Sequence, residues 1–268
     1  MAEPCKTATG SYHLALPKAA GQAAGLAGGK TPLPVVFFFH GHNSSGANVV
    51  RNRALLKQIT GRGYLLVAPN GTAGPGRRAL GWPARPDAAG RRDDLAFIQE
   101  VRRDLTRHVT VDPSRMFVTG FSSGGSMAWY LACYGEDAYT AFAPIAGGLR
   151  RPLPENGRCP SGPQNVLHLH GFSDAQVPLE GRAIREWHQG DVFEGLAIMR
   201  ATNACRAHPN RFERRDGHQC RRWSSCAGER RIAFCLHPRG HEIPPGWSAL
   251  VMDFFAAAAR PRKADAIE

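Results

Sequence analysis

Short, wholly apolar runs alternate along this chain with stretches whose apolar residues recur every three or four positions. Residues 35–39 (Val-Val-Phe-Phe-Phe), 64–67 and 116–119 are runs of the first kind. Each is too short for a helix and carries no polar alternation, which is the pattern of a strand buried on both faces. Further strands are expected at 141–146 and 166–170. Between them lie helical patterns. Asp93 or Asp94 can cap a helix presenting Leu95, Ile98, Val101, Leu105 and Val109 on one side. A second helix is expected over 124–133, and a last one over 247–259, stopped by Pro261. One further strand fits 12–16. Strand and helix in alternation predict an α/β fold with a mostly parallel, doubly wound sheet and helices on both faces. No repeat or linker divides the chain, so one domain spanning 1–268 is expected, with 1–10 and 261–268 as loose termini.

Two segments break the rhythm. Residues 71–90 form a long Gly/Pro/Arg loop around Trp82, and loops of that length in compact domains are often functional. Residues 203–241 hold four of the seven cysteines and read as a hairpin with halves at 218–223 and 231–236, turning near Ala227-Gly228. In that hairpin, positions whose numbers sum to 455 face each other, which sets Cys220 against Cys235 and Trp223 against Ile232. Cys205 with Cys226 and Cys133 with Cys159 would then be the other bridges, leaving Cys5 over. Two alternatives stand beside this: a metal site from Cys205, His208, His218, Cys220 and Cys226, whose spacings match no C-x₂-C pair, and unpaired core thiols. No metal is expected.

Composition narrows the setting. Seven cysteines are awkward for a reducing compartment and too dilute for a small disulfide scaffold, so a secreted or periplasmic protein is expected, although residues 1–20 carry no visible export signal. No apolar run approaches the ~18–20 residues of a membrane span. The 34 basic side chains against 22 acidic ones give +12, and only five of the basic residues are lysine. The arginines are scattered singly and in pairs, which describes a solvated basic surface and not a nucleic-acid stripe. A monomer without nucleic-acid partners is the expectation.

The chemistry centres on Gly120-Phe121-Ser122-Ser123-Gly124-Gly125, directly after a strand and directly before a helix. A serine nucleophile on such a strained turn needs small neighbours, and the helix start favours developing negative charge. A hydroxyl attacks only when a base takes its proton, and the base needs an orienting carboxylate. Asp174 stands just past the 166–170 strand, where the acid belongs. The base is His241, in the flexible loop before the last helix; His237, nearer the strand end, is the structural alternative. Backbone N–H groups of Ser123 and of His42, beside Gly41, are the expected oxyanion donors. Trp82 on the long loop and His40 are the candidate substrate-binding side chains. Residues 147–163 are too short and loop-like for a helical lid, which predicts an open site.

Taken in order, Phe39-His40-Gly41, Pro69-Asn70-Gly71, Gly81-Trp82, Asp93-Asp94, Gly120-Phe121-Ser122-Ser123-Gly124-Gly125, Pro144-Ile145-Ala146-Gly147, His170-Gly171-Phe172-Ser173-Asp174 and Gly240-His241 resemble the polyhydroxybutyrate depolymerase and feruloyl esterase-like (carbohydrate esterase 1-like) branch of the α/β-hydrolases. The resemblance spans about residues 12–259. It implies an α/β-hydrolase without a large lid domain, a Ser122–Asp174–His241 triad, and a secreted serine esterase acting without a cofactor on polyesters, hydroxycinnamoyl or aryl esters, polymeric substrates included. A histidine base predicts a rate that rises with pH as the imidazole loses its proton. Two other readings remain: a serine peptidase of the same fold, and a non-catalytic basic polymer-binding protein that retains it.

Overall fold

In the strand Leu33–Phe39, Val35, Phe37 and Phe39 join one hydrophobic core while Val36 and Phe38 join another. The unbroken apolar run is thus two alternating faces, each covered by helices. A computed structural model gives the fold and describes residues 3–17, 31–88, 90–184 and 187–259.

In chain order the strands are β1 Cys5–Lys6, β2 Ser11–Ala15, β3 Leu33–Phe39, β4 Leu65–Pro69, β5 Thr72–Ala73, β6 Leu80–Gly81, β7 Val111–Phe121, β8 Ala141–Ile145, β9 Val166–Gly171, β10 Ala183–Ile184, β11 Trp187–His188, β12 Arg211–Arg215, β13 His218–Trp223 and β14 Ile232–His237. The α-helices are α1 Gly46–Arg51, α2 Arg53–Ile59, α3 Asp94–His108, α4 Ser123–Tyr134, α5 Val192–Thr202 and α6 Trp247–Ala258. Ten strands form one sheet in the order β1-β2-β4-β3-β7-β8-β9-β14-β13-β12. From β4 to β14 all neighbours run parallel; the pairs at both edges are antiparallel.

Helices α3, α4 and α5 cover the Phe37 face, and α1, α2 and α6 the Phe38 face. Asp93 caps α3, its side chain accepting from the N–H groups of Leu95 and Ala96, and Ile98, Val101 and Leu105 are buried beneath it. On the other face Phe255 of α6 stacks on Phe117 of β7 at 4.5 Å. Truncating a fully buried ring such as Phe37 to alanine costs about 3–5 kcal/mol.

Strand order reverses at β3: the chain lays β4 on one side of it and β7 on the other. That leaves a crevice at the carboxyl ends of β3 and β7, where ligands bind in open α/β sheets. The 39–43 and 120–125 segments meet there.

The chain start departs from expectation. Residues 3–10 are no loose arm, because β1 pairs with β2 and Thr9 bonds Glu100 of α3 through both its N–H (3.1 Å) and its hydroxyl (2.9 Å). Residues 261–268, also expected loose, lie outside the described residues. The hairpin has the expected register, Cys220 opposite Cys235 and Trp223 opposite Ile232, and a further strand, β12, outside it. Disulfides join Cys133 to Cys159, Cys205 to Cys226 and Cys220 to Cys235, and Cys5 is a free thiol. The sulfurs of the alternative metal set are therefore committed to bridges. No helix among the described residues is long and apolar enough to cross a membrane.

Candidate active site

Ser122 stands directly after β7, at the start of α4, with φ 58° and ψ −120°, a positive-φ conformation that a residue with a side chain rarely adopts. Two glycines make that turn possible. A Cβ on Gly120 would strike the Gly124 backbone, and one on Gly124 would strike the carbonyls of Phe39 and His40. The glycines thus let the turn, β3 and the start of α4 interpenetrate. The backbone is tied down further by Ser122 N–H to Ile145 O (2.9 Å) and Ser126 N–H to Ser122 O (2.9 Å).

The loops after β9 and β14 are fastened to each other. The N–H of Phe172 donates to His237 O at 2.8 Å, and that of Ser173 to Arg239 O at 3.2 Å. Their contact brings the two remaining groups to the serine. His241 Nε2 lies 2.8 Å from Ser122 Oγ, and His241 Nδ1 lies 2.7 Å from Asp174 Oδ2. The imidazole packs on the Phe121 ring at 4.9 Å. With a carboxylate on one side and a hydroxyl on the other, Nδ1 carries the proton and Nε2 the lone pair.

Asp174 has a wholly covered side chain. Burial by itself raises a carboxyl pKa, but hydrogen bonds from His170 and His241 and the Val177 N–H outweigh it and hold Asp174 well below the usual carboxylate range. Its other oxygen, Oδ1, accepts from the N–H groups of Gln176 (2.9 Å) and Val177 (2.8 Å). The group is an anion fixed in one orientation. His237 is not part of this line: it is buried at the end of β14, ring to ring with His218 at 5.8 Å.

The loop after β3 lies against the serine, since the Cβ position of Gly41 is 3.6 Å from Ser122 Cβ. Around it the N–H of Asn43 donates to Leu80 O (2.8 Å) and that of Ser44 to Gly41 O (3.3 Å). The N–H of Ser123 opens α4, where the helix itself offers no acceptor. Gly81 closes the floor, its Cβ position 3.1 Å from His42 Nδ1 and 3.7 Å from Ser123 Oγ.

Trp82 and His40 correct the expectation that they touch substrate. Trp82 is 3% exposed; its indole N–H donates to His40 O at 3.0 Å and its ring packs edge-on against Phe39 at 5.1 Å. His40 is 1% exposed, accepts the N–H of Gly71 at Nε2 (2.9 Å) and bonds Gly41 O through Nδ1 (2.7 Å). Burial pushes its pKa down to about 4, so it is a neutral strut. Both side chains brace the 40–42 loop from behind. Arg150, which the sequence reading missed, completes the brace: its Nη1 donates to Trp82 O (2.6 Å) and Pro83 O (2.7 Å), and its guanidinium lies over the Trp187 ring at 4.6 Å. An arginine pair on a loop gives no local sign of such burial.

No family model matches the chain. It is 26% identical over 228 residues to feruloyl esterase B of Piromyces equi, across 81% of this chain and 41% of that protein. A putative esterase NocK of Nocardia uniformis is 32% identical over 152 residues, 55% of this chain and 42% of that protein. The chain therefore spans about two fifths of the length of these curated relatives. Among solved structures, acetyl xylan esterase from Aspergillus awamori superposes with a TM-score of 0.64 at 14% identity, covering 92% of this chain and 93% of that one. The chain has the α/β-hydrolase fold. In an α/β-hydrolase the serine belongs on the turn after a central strand, with its acid and histidine on later loops. Ser122, Asp174 and His241 occupy those places. Among the described residues no large lid interrupts the fold. Among the described residues no cluster of three or more His, Cys, Asp or Glu side chains is placed to hold a metal ion.

Proposed function

We propose that this α/β-hydrolase is a serine carboxylic-ester hydrolase working through an acyl-enzyme. The observation that carries the reading is the unbroken hydrogen-bond line from Ser122 Oγ through His241 to Asp174 Oδ2. In the reaction His241 Nε2 takes the serine proton as Oγ bonds to the ester carbonyl carbon. The carbonyl oxygen becomes an oxyanion that the N–H groups of His42 and Ser123 stabilise. Collapse expels the alkoxide, which leaves with the proton from His241, and Asp174 stabilises the transient imidazolium. Water then attacks the acyl-serine with His241 again as base, releasing the acid and restoring Ser122.

The similarity to a protein named feruloyl esterase B favours hydroxycinnamoyl or aryl esters over peptides. Polyesters of the hydroxyalkanoate type are the second substrate reading, supported by the lack of a large lid over Ser122 among the described residues. Three disulfides support a secreted or periplasmic setting, since such bridges persist in oxidising compartments. A panel running from p-nitrophenyl acetate through methyl ferulate to polyhydroxybutyrate film and a peptide anilide tests the reading. Turnover of the esters, abolished by Ser122→Ala, is expected. Faster anilide cleavage would favour a peptidase, and binding without turnover a polymer-binding protein.

A further inference from the structure

Behind Asp174 the sheet holds two histidines that the proposed reaction does not use. His168 and His170 stand on the same face of β9, at alternate positions of an otherwise apolar strand, and neither has any exposed surface. Trp129, equally buried on α4, donates its indole N–H to His168 Nδ1 at 3.0 Å. His168 Nε2 lies 2.9 Å from His170 Nδ1, and His170 Nε2 lies 2.8 Å from Val177 O and 3.4 Å from Asp174 Oδ2.

The two ends fix every proton between them. An indole nitrogen only donates, so His168 Nδ1 must present its lone pair, and the proton of that ring sits on Nε2. A carbonyl only accepts, so His170 Nε2 must carry a proton. The middle contact then runs from His168 Nε2–H to the lone pair of His170 Nδ1. A second proton on His170 would face the His168 N–H, and one on His168 would face the indole N–H. Neither ring can become a cation while the line is intact.

We propose that Trp129, His168 and His170 form a proton-fixed relay that makes His170 a neutral positioning residue for Asp174. This rests on the ester-hydrolase reading of the same site. The purpose follows from the shared oxygen: Asp174 Oδ2 faces both His170 Nε2 and His241 Nδ1. A neutral N–H steadies the carboxylate and leaves its charge for the imidazolium that forms on His241. A cationic His170 would claim that charge. Burial also holds the His168 pKa well below its ordinary value. The titratable groups around His170 are His168 on its own strand, Asp174 on the following loop, His237 on β14 and, across Asp174, His241.

Nitrogen-15 NMR of the full chain reads the tautomers directly. His168 and His170 are expected to be neutral with the proton on Nε2 from about pH 8 to about pH 5, a range in which a free imidazole titrates. Trp129→Phe, which removes the donor, is expected to release both rings to exchange tautomers or titrate. In kinetics, His170→Leu is expected to lower kcat on the order of tenfold with KM within about twofold. It should also move the acid limb of kcat/KM to higher pH, because Asp174 without its second donor holds the imidazolium more tightly. His170→Gln offers one acceptor and one donor and cannot titrate, so it should restore both. A proton on Nδ1 of either ring in the wild type would overturn the relay, as would a titrating His170 or a leucine variant with wild-type kcat and pH profile. Should the leucine variant not fold, the wild-type tautomers and the glutamine variant decide. A wild-type chain with these tautomers but no ester turnover would sink the reaction and not the proton arrangement.

Discussion

The strand ends around Ser122 and the outer edge of the sheet at β12–β13 are held in opposite ways. Around the serine, the side chains are positioned by hydrogen bonds between buried groups: His241 to Asp174, Trp82 to His40, and Arg150 to the carbonyls of Trp82 and Pro83. At the edge, β12 reads Arg-Phe-Glu-Arg-Arg, with Phe212 69% exposed, and next to it β13 is tied to β14 by the Cys220–Cys235 bridge. The first region trades covalent security for fixed geometry. In the second, β12 has little core to bury, and the edge relies on ladder pairing and disulfides. Substitutions in the first should therefore act on the reaction, and in the second on stability.

The largest expected effect is at the serine itself. Ser122→Ala should lower kcat on aryl esters by a factor on the order of 10⁵ or more, with thermal unfolding unchanged within a few degrees. A variant keeping a tenth of wild-type turnover would end the distinction. Next comes Asp174→Asn, which keeps the shape but lets Nδ1 of His241 lose its acceptor; a drop of about 10⁴ in kcat is expected. Wild-type turnover in that variant would show that the carboxylate has no part in the reaction.

At the edge the expectation inverts. Replacing Cys220 and Cys235 together by alanine opens a crosslink spanning 15 residues and should cost about 3 kcal/mol in denaturant unfolding. Turnover on small esters should stay within about twofold of wild type. Loss of activity with unchanged stability would contradict the division of labour.

The smallest effect is a pH dependence. Burial holds His40 and His237 at about 4 and pushes His168 well below its ordinary value. Unfolded, each returns to about 6.5. Between those values the unfolded chain binds more protons, so stability present at neutral pH is lost as pH falls from about 6.5 towards 4. A melting temperature a few degrees lower at about pH 5 than at pH 7.5 is expected, and one unchanged or higher would count against buried neutral histidines.

What the sequence made legible follows the same division. The positions of Ser122, Asp174 and His241 just past strand ends were readable because the strands are short, mostly apolar runs whose exits contain glycine. The Cys220–Cys235 register was readable because a hairpin fixes its own pairing. Trp82 was misread because its loop is locally polar, and its burial depends on Phe39, His40 and Arg150, far away in sequence. Strand β12 was missed because an edge strand needs no apolar alternation: beyond the backbone ladder, it is held to β13 by the ion pair of Glu213 with Arg222, which leaves no hydrophobic signal. The relay left one sign, His168 and His170 at alternate positions inside a buried strand, but its direction depends on Trp129 on another element.

The central claim is that one serine, activated by one histidine, becomes the acyl carrier. A fluorophosphonate probe with intact-mass and peptide mapping tests it most directly. The account predicts one equivalent of label on Ser122, absent in Ser122→Ala and strongly slowed in His241→Ala. Full ester turnover with Ser122 unlabelled, or label carried on another residue, would contradict it.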